Sequence, residues 1–518
     1  MATAVSILKE LADIKSNHTI LENFELVEES VIQGAKSYTR KKLLLHVRPY
    51  KIKACRCPVC GQKCPRYDTE YMVESHWRAA NLNGIPVSLC YRPNRIQCPK
   101  DGILTEKIPW ADGDFRFTAS FNDEVTWLTG KLSRSAIAQY MGINWRTVGN
   151  CIKASLNRLE PDPSIRMRDL RKICVDETSY KKGYAYITVV YDMERNRVAW
   201  IHEGCGLEVF QQFCKELTEE ERQRIEIVAG DGAKWIDTCT AAYFPNAVRC
   251  VDFFHVCEWA TDTLDKVRME TVRKAQQEYY KQLQAYKEEE TADTRNQELA
   301  KIEEKLATMP GRGRPNQRKK QLLERRKLLL KDVPKKVGRR KKEKLSSEHQ
   351  EEIERLAQKT KDIKDSRFAL WHNPENCTAS QHDKIQLIAN SYPDLYKAYQ
   401  LKESLRIILH MTDAAQAARN LKNWIAEAKD SQIQPLIELS EKINRHYQGI
   451  IYSVQYRANS AKSEAVNAGI KLLIRMARGF RNLQNMMALI YLRCSDLIVP
   501  LKNRGPAAFA PETPRVKA

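Results

Sequence analysis

No run of about 18 apolar residues occurs in the 518-residue chain, so no helical membrane span is expected. The first residues, MATAVSILKELADIKSNHTI, mix acids and bases and lack the apolar stretch of a secretory signal. A cytoplasmic location is the expectation. Acids are in short supply: 65 Asp and Glu face 86 Lys and Arg, a formal net charge of +21. A surplus of that size describes partners more than fold, and nucleic acid is the commonest polyanion for such a protein. A membrane surface is the competing reading. No period of roughly 20–50 residues repeats, which excludes a solenoid. The 15 cysteines are odd in number and scattered through a large chain, unlike a secreted disulfide framework.

Six of those cysteines, Cys55, Cys57, Cys60, Cys64, Cys90 and Cys98, nevertheless crowd into one short stretch. In a reducing compartment, clustering of this kind suggests metal binding. Cys57-Pro-Val-Cys60-Gly is a knuckle that can aim two thiolates at one ion. Cys98-Pro-Lys-Asp101-Gly has the same shape, with an acid where a second Cys or His is usual. The expected site is a structural zinc ribbon of Cys57, Cys60, Cys98 and Asp101. Cys55, Cys64, Cys90 and His76 are open alternatives for the fourth ligand.

Downstream, LSRSAIAQYMGINWRTVGNCI places Ala136, Ile137 and Tyr140 on one helical face and Gly142 at a turn. This pattern suits a helix-turn-helix whose second helix enters the major groove. Asn144, Arg146, Thr147 and Asn150 would then face DNA.

Next comes a strand-rich block. RKICVDETSY, the pair within YAYITVVYDMERNRVAWIHEG, IEIVAGDGAKW and AVRCVDFFHV read as strands, and LEVFQQFCKELTEEERQRI has helical spacing. The order implies an α/β fold with a mixed sheet. Asp176 and Asp231 each end an apolar strand. Carboxylates gathered there repel one another unless a cation sits between them. Oxygen donors favour magnesium or manganese, and two such ions clamp the attacking and leaving oxygens of a phosphoryl transfer. Glu464 lies on an amphipathic helix among Arg457, Lys462, Lys471, Arg475, Arg478 and Arg481, a setting suited to a DNA phosphate. From about 258 to 450 the chain reads as charged helices, and Arg312–Lys344 as a mobile basic arm.

With these motifs in order, the sequence resembles the ISL3 family of insertion-sequence transposases, of the DDE class, over nearly its whole length. CPVCG with RIQCPKDGILTEKIPWA resembles the zinc ribbon, and ICVDETSYKKGYAYITVVYD the first catalytic strand and hairpin. VAGDGAKWIDTCTAAYFPNAVRCVDFFHV resembles the second-acid block with its D-x-x-H, and SEAVNAGIKLLIRMARGFRNLQNMMALIYLRC the final block with its glutamate. Asp101 and the four residues between Asn459 and Glu464 depart from the family's usual pattern.

The resemblance implies a triad of Asp176, Asp231 and Glu464 that binds two Mg2+ or Mn2+ ions. Asp252 and His255 are secondary active-site residues, and Arg475 and Arg478 additional DNA contacts. It implies an RNase H-like core split by a helical insertion. The expected segments are 1–50, an N-terminal helix and strands; 51–112, the ribbon; 113–165, the helix-turn-helix; 170–260, the first part of the core; 261–450, the insertion with its basic arm at 312–344; 451–500, the final core helix; and 501–518, a tail. Expected partners are inverted-repeat and target DNA and a second protomer or larger synaptic assembly, near the bacterial nucleoid and without a membrane. The alternatives are a catalytically inactive, domesticated DNA-binding regulator and an RNase H-like nuclease that cuts without joining.

Overall fold

The computed structural model describes residues 4–12, 14, 18–33, 36–68, 73–112, 116–309, 317–331, 345–458, 461–477, 480 and 482–501. In the helix that begins at Ala461, the described side chains start at Ala465. The chain forms two compact units, Met1–Asp252 with Tyr456–Ala518, and Phe253–Gln455.

The first unit opens with helix α1 (Ala4–Leu11) and a long hairpin, β1 (Thr19–Gln33) and β2 (Lys36–Pro49). Then come β3 (Arg66–Asp68), β4 (Ser75–Leu82), β5 (Ile85–Tyr91), β6 (Arg95–Cys98) and β7 (Gly102–Thr105). These seven strands divide into a four-stranded sheet, β1-β2-β5-β4, and a three-stranded one, β3-β6-β7. The expected boundary at residue 50 therefore does not separate sheets: β4 and β5 join the hairpin, with Leu43 and Leu45 opposite Val87 and Leu89. That pairing buries a common apolar face with Leu21, Trp77 and Trp110, whose two indole rings meet edge-on at 5.7 Å.

Three helices follow: α2 (Ala119–Leu128), α3 (Arg134–Met141) and α4 (Trp145–Leu159). Ser133 caps α3 by accepting the Ala136 N–H, and Asn144 caps α4 by accepting that of Arg146. Between the two helices Gly142 takes φ +64°, a left-handed conformation that suits glycine at a helix end. Inside the bundle Ser155 donates to Asp123 at 3.0 Å and accepts from Thr126 at 3.1 Å.

The mixed sheet is built from β8 (Lys172–Lys181), β9 (Ala185–Asp192), β10 (Arg197–Glu203), β11 (Ile227–Gly230) and β12 (Val248–Val251), in the order β10-β9-β8-β11-β12. Strands β8, β11 and β12 run parallel, and β9 is antiparallel to β8 and β10. Helices α5 (Leu207–Glu216), α6 (Glu219–Arg224) and α7 (Lys234–Tyr243) connect them. The segment expected as one helix splits in two because Thr218 and Glu221 form a capping box that starts a new helix. Ile173, Val175, Val190, Phe210, Phe213 and Val228 make the core.

The second unit is all helix: α8 (Phe253–Ala307), α9 (Gln317–Leu330), α10 (Ser347–Asp365), α11 (Arg367–Trp371), α12 (Ala379–Ser391), α13 (Pro393–Leu409), α14 (Ala414–Asp430), α15 (Gln434–Arg445) and α16 (Tyr447–Gln455). At 55 residues α8 is roughly 80 Å long. Part of the expected mobile basic arm is helical instead. Arg325 and Arg326 of α9 bind Glu298 and Glu303 of α8, which neutralises some of the charge that read as an open arm. The rest of 312–344 lies outside the described residues, apart from residues 317–331.

The chain returns to the first unit with α17 (Ala461–Met476) and α18 (Leu483–Arg493). Helix α18 packs against both the sheet and the α2–α4 bundle. Tyr491 accepts the Ile201 N–H at 2.8 Å, the Cys494 carbonyl accepts that of Val198 at 2.7 Å, and Arg493 donates to the Gly130 carbonyl at 2.8 Å. On α4, a Cβ at Gly149 would lie 2.0 Å from Nδ2 of Asn485, so glycine permits this close helix approach. No described helix is long and apolar enough to cross a membrane. The tail from residue 502 lies outside the described residues.

Candidate active site

Buried apolar triplets precede both acids. Asp231 follows the end of β11 as expected, but Asp176 does not end a strand, because β8 continues to Lys181 through its antiparallel pairing with β9. Ile173, Cys174 and Val175 precede Asp176, and Val228, Ala229 and Gly230 precede Asp231. Register then decides who meets whom. Gly230 pairs with Val175 on one side and with Val251 on the other. The next residue on each strand is an aspartate, so Asp176, Asp231 and Asp252 follow one row across three parallel strands. The row is tight at its centre: a Cβ on Gly230 would lie 2.9 Å from the Val175 carbonyl oxygen.

Backbone groups hold these carboxylates. Asp176 Oδ1 accepts the Glu177 N–H at 2.7 Å, and Asp231 Oδ1 accepts that of Ala233 at 2.9 Å. Asp252, 6% exposed, donates its own N–H to the Gly230 carbonyl at 2.8 Å. Arg249 donates to the Asp231 carbonyl and, at 2.8 Å, to Asp237, which clamps the turn after β11.

A fourth acid joins them. Burial holds the Glu177 carboxyl above its ordinary range; the Gly206 N–H pulls it down, and Asp231 and Asp176 push it up again. The sequence reading passed over Glu177, although it stands beside Asp176.

The third expected acid is on α17, which packs its Val466, Ile470 and Leu473 face inward. Asn467 of this helix donates its side-chain amide to Asp176 Oδ2. Position 464 is three residues earlier, one turn along the same helix. The Glu464 side chain itself lies outside the described set. Asn467 was not singled out from sequence, because an Asn inside an apolar helical pattern carries no spacing signal. Arg475 is exposed on α17, and Arg478 lies outside the described residues. His255 falls in the second unit, on α8, with Nδ1 3.3 Å from Glu258.

At the helix-turn-helix, Asn144 and Arg146 are exposed and Thr147 and Asn150 half-buried. Asn144 spends its side-chain oxygen on the cap of α4, and the Arg146 guanidinium sits 5.5 Å from the Trp145 ring.

The cysteine knuckles converge as their spacing predicts. The Cys57 thiol donates to Asp101 Oδ2 at 3.1 Å, the Cys98 thiol to the same oxygen at 3.3 Å, and Cys60 Sγ lies 3.5 Å from Cys98 Sγ. All four ligand atoms lie within 4.8 Å of one another, a spacing that suits one tetrahedral ion. Cys55, Cys64, Cys90 and His76, the alternative fourth ligands, are not in this group.

Comparison with known proteins agrees with this architecture. Residues 173–490 match a family model described as a transposase, of the ISL3 DDE type. Residues 106–155 match the helix-turn-helix domain of transposase family ISL3. The chain is 31% identical over 477 residues to a transposase for insertion sequence element IS1557 of Mycobacterium tuberculosis, covering 92% of both proteins. It is 22% identical over 447 residues to a transposase for insertion sequence element IS1001 of Bordetella parapertussis, covering 85% of this chain and 89% of the relative.

Proposed function

This chain belongs to the ISL3 family of DNA transposases, and from that premise we propose that Asp176, Asp231 and Glu464 are its catalytic carboxylates. The observation that carries the reading is the meeting of α17 with the sheet: Asn467 binds Asp176, whose neighbour in register is Asp231. Position 464 lies one helical turn from Asn467 along α17, which supports its assignment to the same site. The strand order, with parallel β8, β11 and β12 and an antiparallel β9, supports an RNase H-like core. Helices α8–α16 are then the insertion between the second and third acids.

The donor set fits magnesium or manganese. It consists of oxygens, and Glu177 and Asp252 add to an acidic cluster that a cation would neutralise. Asp176, Asp231 and Glu464 would hold two such ions. When bound, they lower the pKa of an attacking water and stabilise the leaving oxygen of an in-line displacement. The protein supplies the rest. Asn467 and the Glu177 N–H orient the two oxygens of Asp176, and Arg249 and the Ala233 N–H fix Asp231. Exposed Lys471 and Arg475 on α17 attract the DNA backbone. Water attack would free a 3′ hydroxyl at the element's end, and that hydroxyl would attack target DNA in the same site. Joining two ends at once calls for a dimer or larger assembly.

Cys57, Cys60, Cys98 and Asp101 fit a structural zinc ion, which would fix the β3-β6-β7 sheet. The helix-turn-helix reads the inverted repeat through α4, with Arg146, Thr147 and Asn150 toward the groove and Asn144 ordering the helix start. In the test, Asp231→Asn protein still shifts inverted-repeat DNA but does not nick it in magnesium. Nicking at the parental rate by that protein removes Asp231 from the site.

A further inference from the structure

We propose that His46, Glu74 and Cys90, flanked by His76, form a second transition-metal site, on the face of the N-terminal sheet opposite its apolar core. Strand register creates it. His46 of β2 pairs with Cys90 of β5, and Cys90 pairs with His76 of β4. Directly opposed residues share a face, so these three side chains form one row across three strands. Their sequence neighbours Leu45, Leu89 and Trp77 point the other way, into the core. Glu74, one residue before β4, closes the row.

The distances have the scale of a coordination sphere. One ligand atom each from His46, Glu74 and Cys90 lies within 4.8 Å of the others. Cys90 Sγ is 3.4 Å from His76 Nδ1. Glu74 Oε2 is 3.9 Å from His46 Nδ1, and its Oε1 is 3.5 Å from His76 Nε2. His76 meets Cys90 through Nδ1 and Glu74 through Nε2, so it flanks the three-ligand group. In a tetrahedral zinc site, bonds of about 2.0–2.3 Å place neighbouring N, O and S ligands roughly 3.3–3.8 Å apart. Slight closure on an ion would suffice. Cys90 is 2% exposed, while the two imidazoles reach solvent, so an ion has an entry path.

Outer contacts support the same geometry. His46 Nε2 lies 3.2 Å from Glu25 Oε1, which leaves Nδ1 turned toward Glu74 and Cys90. A carboxylate behind a metal-bound imidazole orients the ring and raises its basicity. A thiolate, an imidazole and one carboxylate select zinc or a similar metal over magnesium. The location gives it a purpose. The hairpin joins the rest of the sheet through the short pairing of Leu43–His46 with Val87–Cys90, and this site sits at its end. An ion there staples β2, β5 and β4 together.

The test measures zinc in purified full-length protein by mass spectrometry. Two ions per chain are expected. Cys57→Ser removes one and Cys90→Ser the other, and His46→Gln also leaves one. Cobalt substitution adds a second readout: Cys90→Ser weakens the sulfur-to-cobalt charge-transfer band, and His46→Gln shifts the visible bands while helicity is unchanged. A parental content of one ion that Cys90→Ser and His46→Gln leave in place overturns the proposal. So does a content of two ions that both survive those substitutions. Failure of the Cys57 ribbon would show separately, as zinc unchanged in Cys57→Ser.

Discussion

Asn467 donates its side-chain amide to Oδ2 of Asp176, a residue 291 positions away in the chain. This bond ties α17 to the central strand of the sheet. Because the carboxylate keeps one oxygen on the Glu177 N–H and the other on Asn467, its orientation is set from two directions. Removing one of them should loosen the site without unfolding it. Asn467→Ala is expected to slow cleavage by about 10- to 100-fold, the usual scale for a group that orients a metal ligand. The slowing should shrink at high magnesium, and inverted-repeat binding should be unchanged. Parental cleavage rates at limiting magnesium would count against the contact.

The approach of α18 to α4 gives a stability prediction. A side chain at Gly149 would overlap the Asn485 amide, which must shift to admit it. Asn485 is 8% exposed, so a displaced amide must be accommodated within the packed interface. Gly149→Val should therefore cost about 1–3 kcal/mol through overpacking. A thermal melt would register this as a lower Tm. An unchanged melt would mean that the two helices do not pack in solution.

At the proposed zinc site, Asp101 would supply a hard oxygen beside the sulfurs of Cys57, Cys60 and Cys98. Asp101→Cys completes a four-thiolate set and should bind zinc more tightly, resisting chelator for longer than the parent. Asp101→Ala should release zinc sooner. Equal release from all three proteins in a chelator competition would place the fourth ligand elsewhere.

Arg146 is exposed in the first turn of α4. Arg146→Ala should weaken DNA binding. If the contact is to phosphate, the slope of log affinity against log salt falls by about 1. If it is to a base, affinity falls mainly for the cognate repeat. Binding unchanged on both cognate and unrelated DNA would remove α4 from the interface.

The sequence by itself determined the strands, the helix-turn-helix and the two cysteine knuckles. Each rests on a local rule: an apolar run, a cap with a glycine stop, or a two-residue thiolate spacing. Asp176 and Asp231 were legible for the same reason, as acids that follow an apolar run, although β8 continues past Asp176 to Lys181. What tertiary structure decided is which of these local pieces meet. The row of Asp176, Asp231 and Asp252 depends on strand register, and register depends on long-range pairing of Gly230 with Val175 and Val251. Glu177 and Asn467 became visible only there, because neither has a periodic or spacing signature. The division of β1–β7 into two sheets was hidden likewise: β4 and β5 carry the same alternation whichever partner they choose, and burial against Leu43 and Leu45 selects the hairpin. Local patterns specify elements, whereas contacts across the chain specify the chemistry those elements can perform.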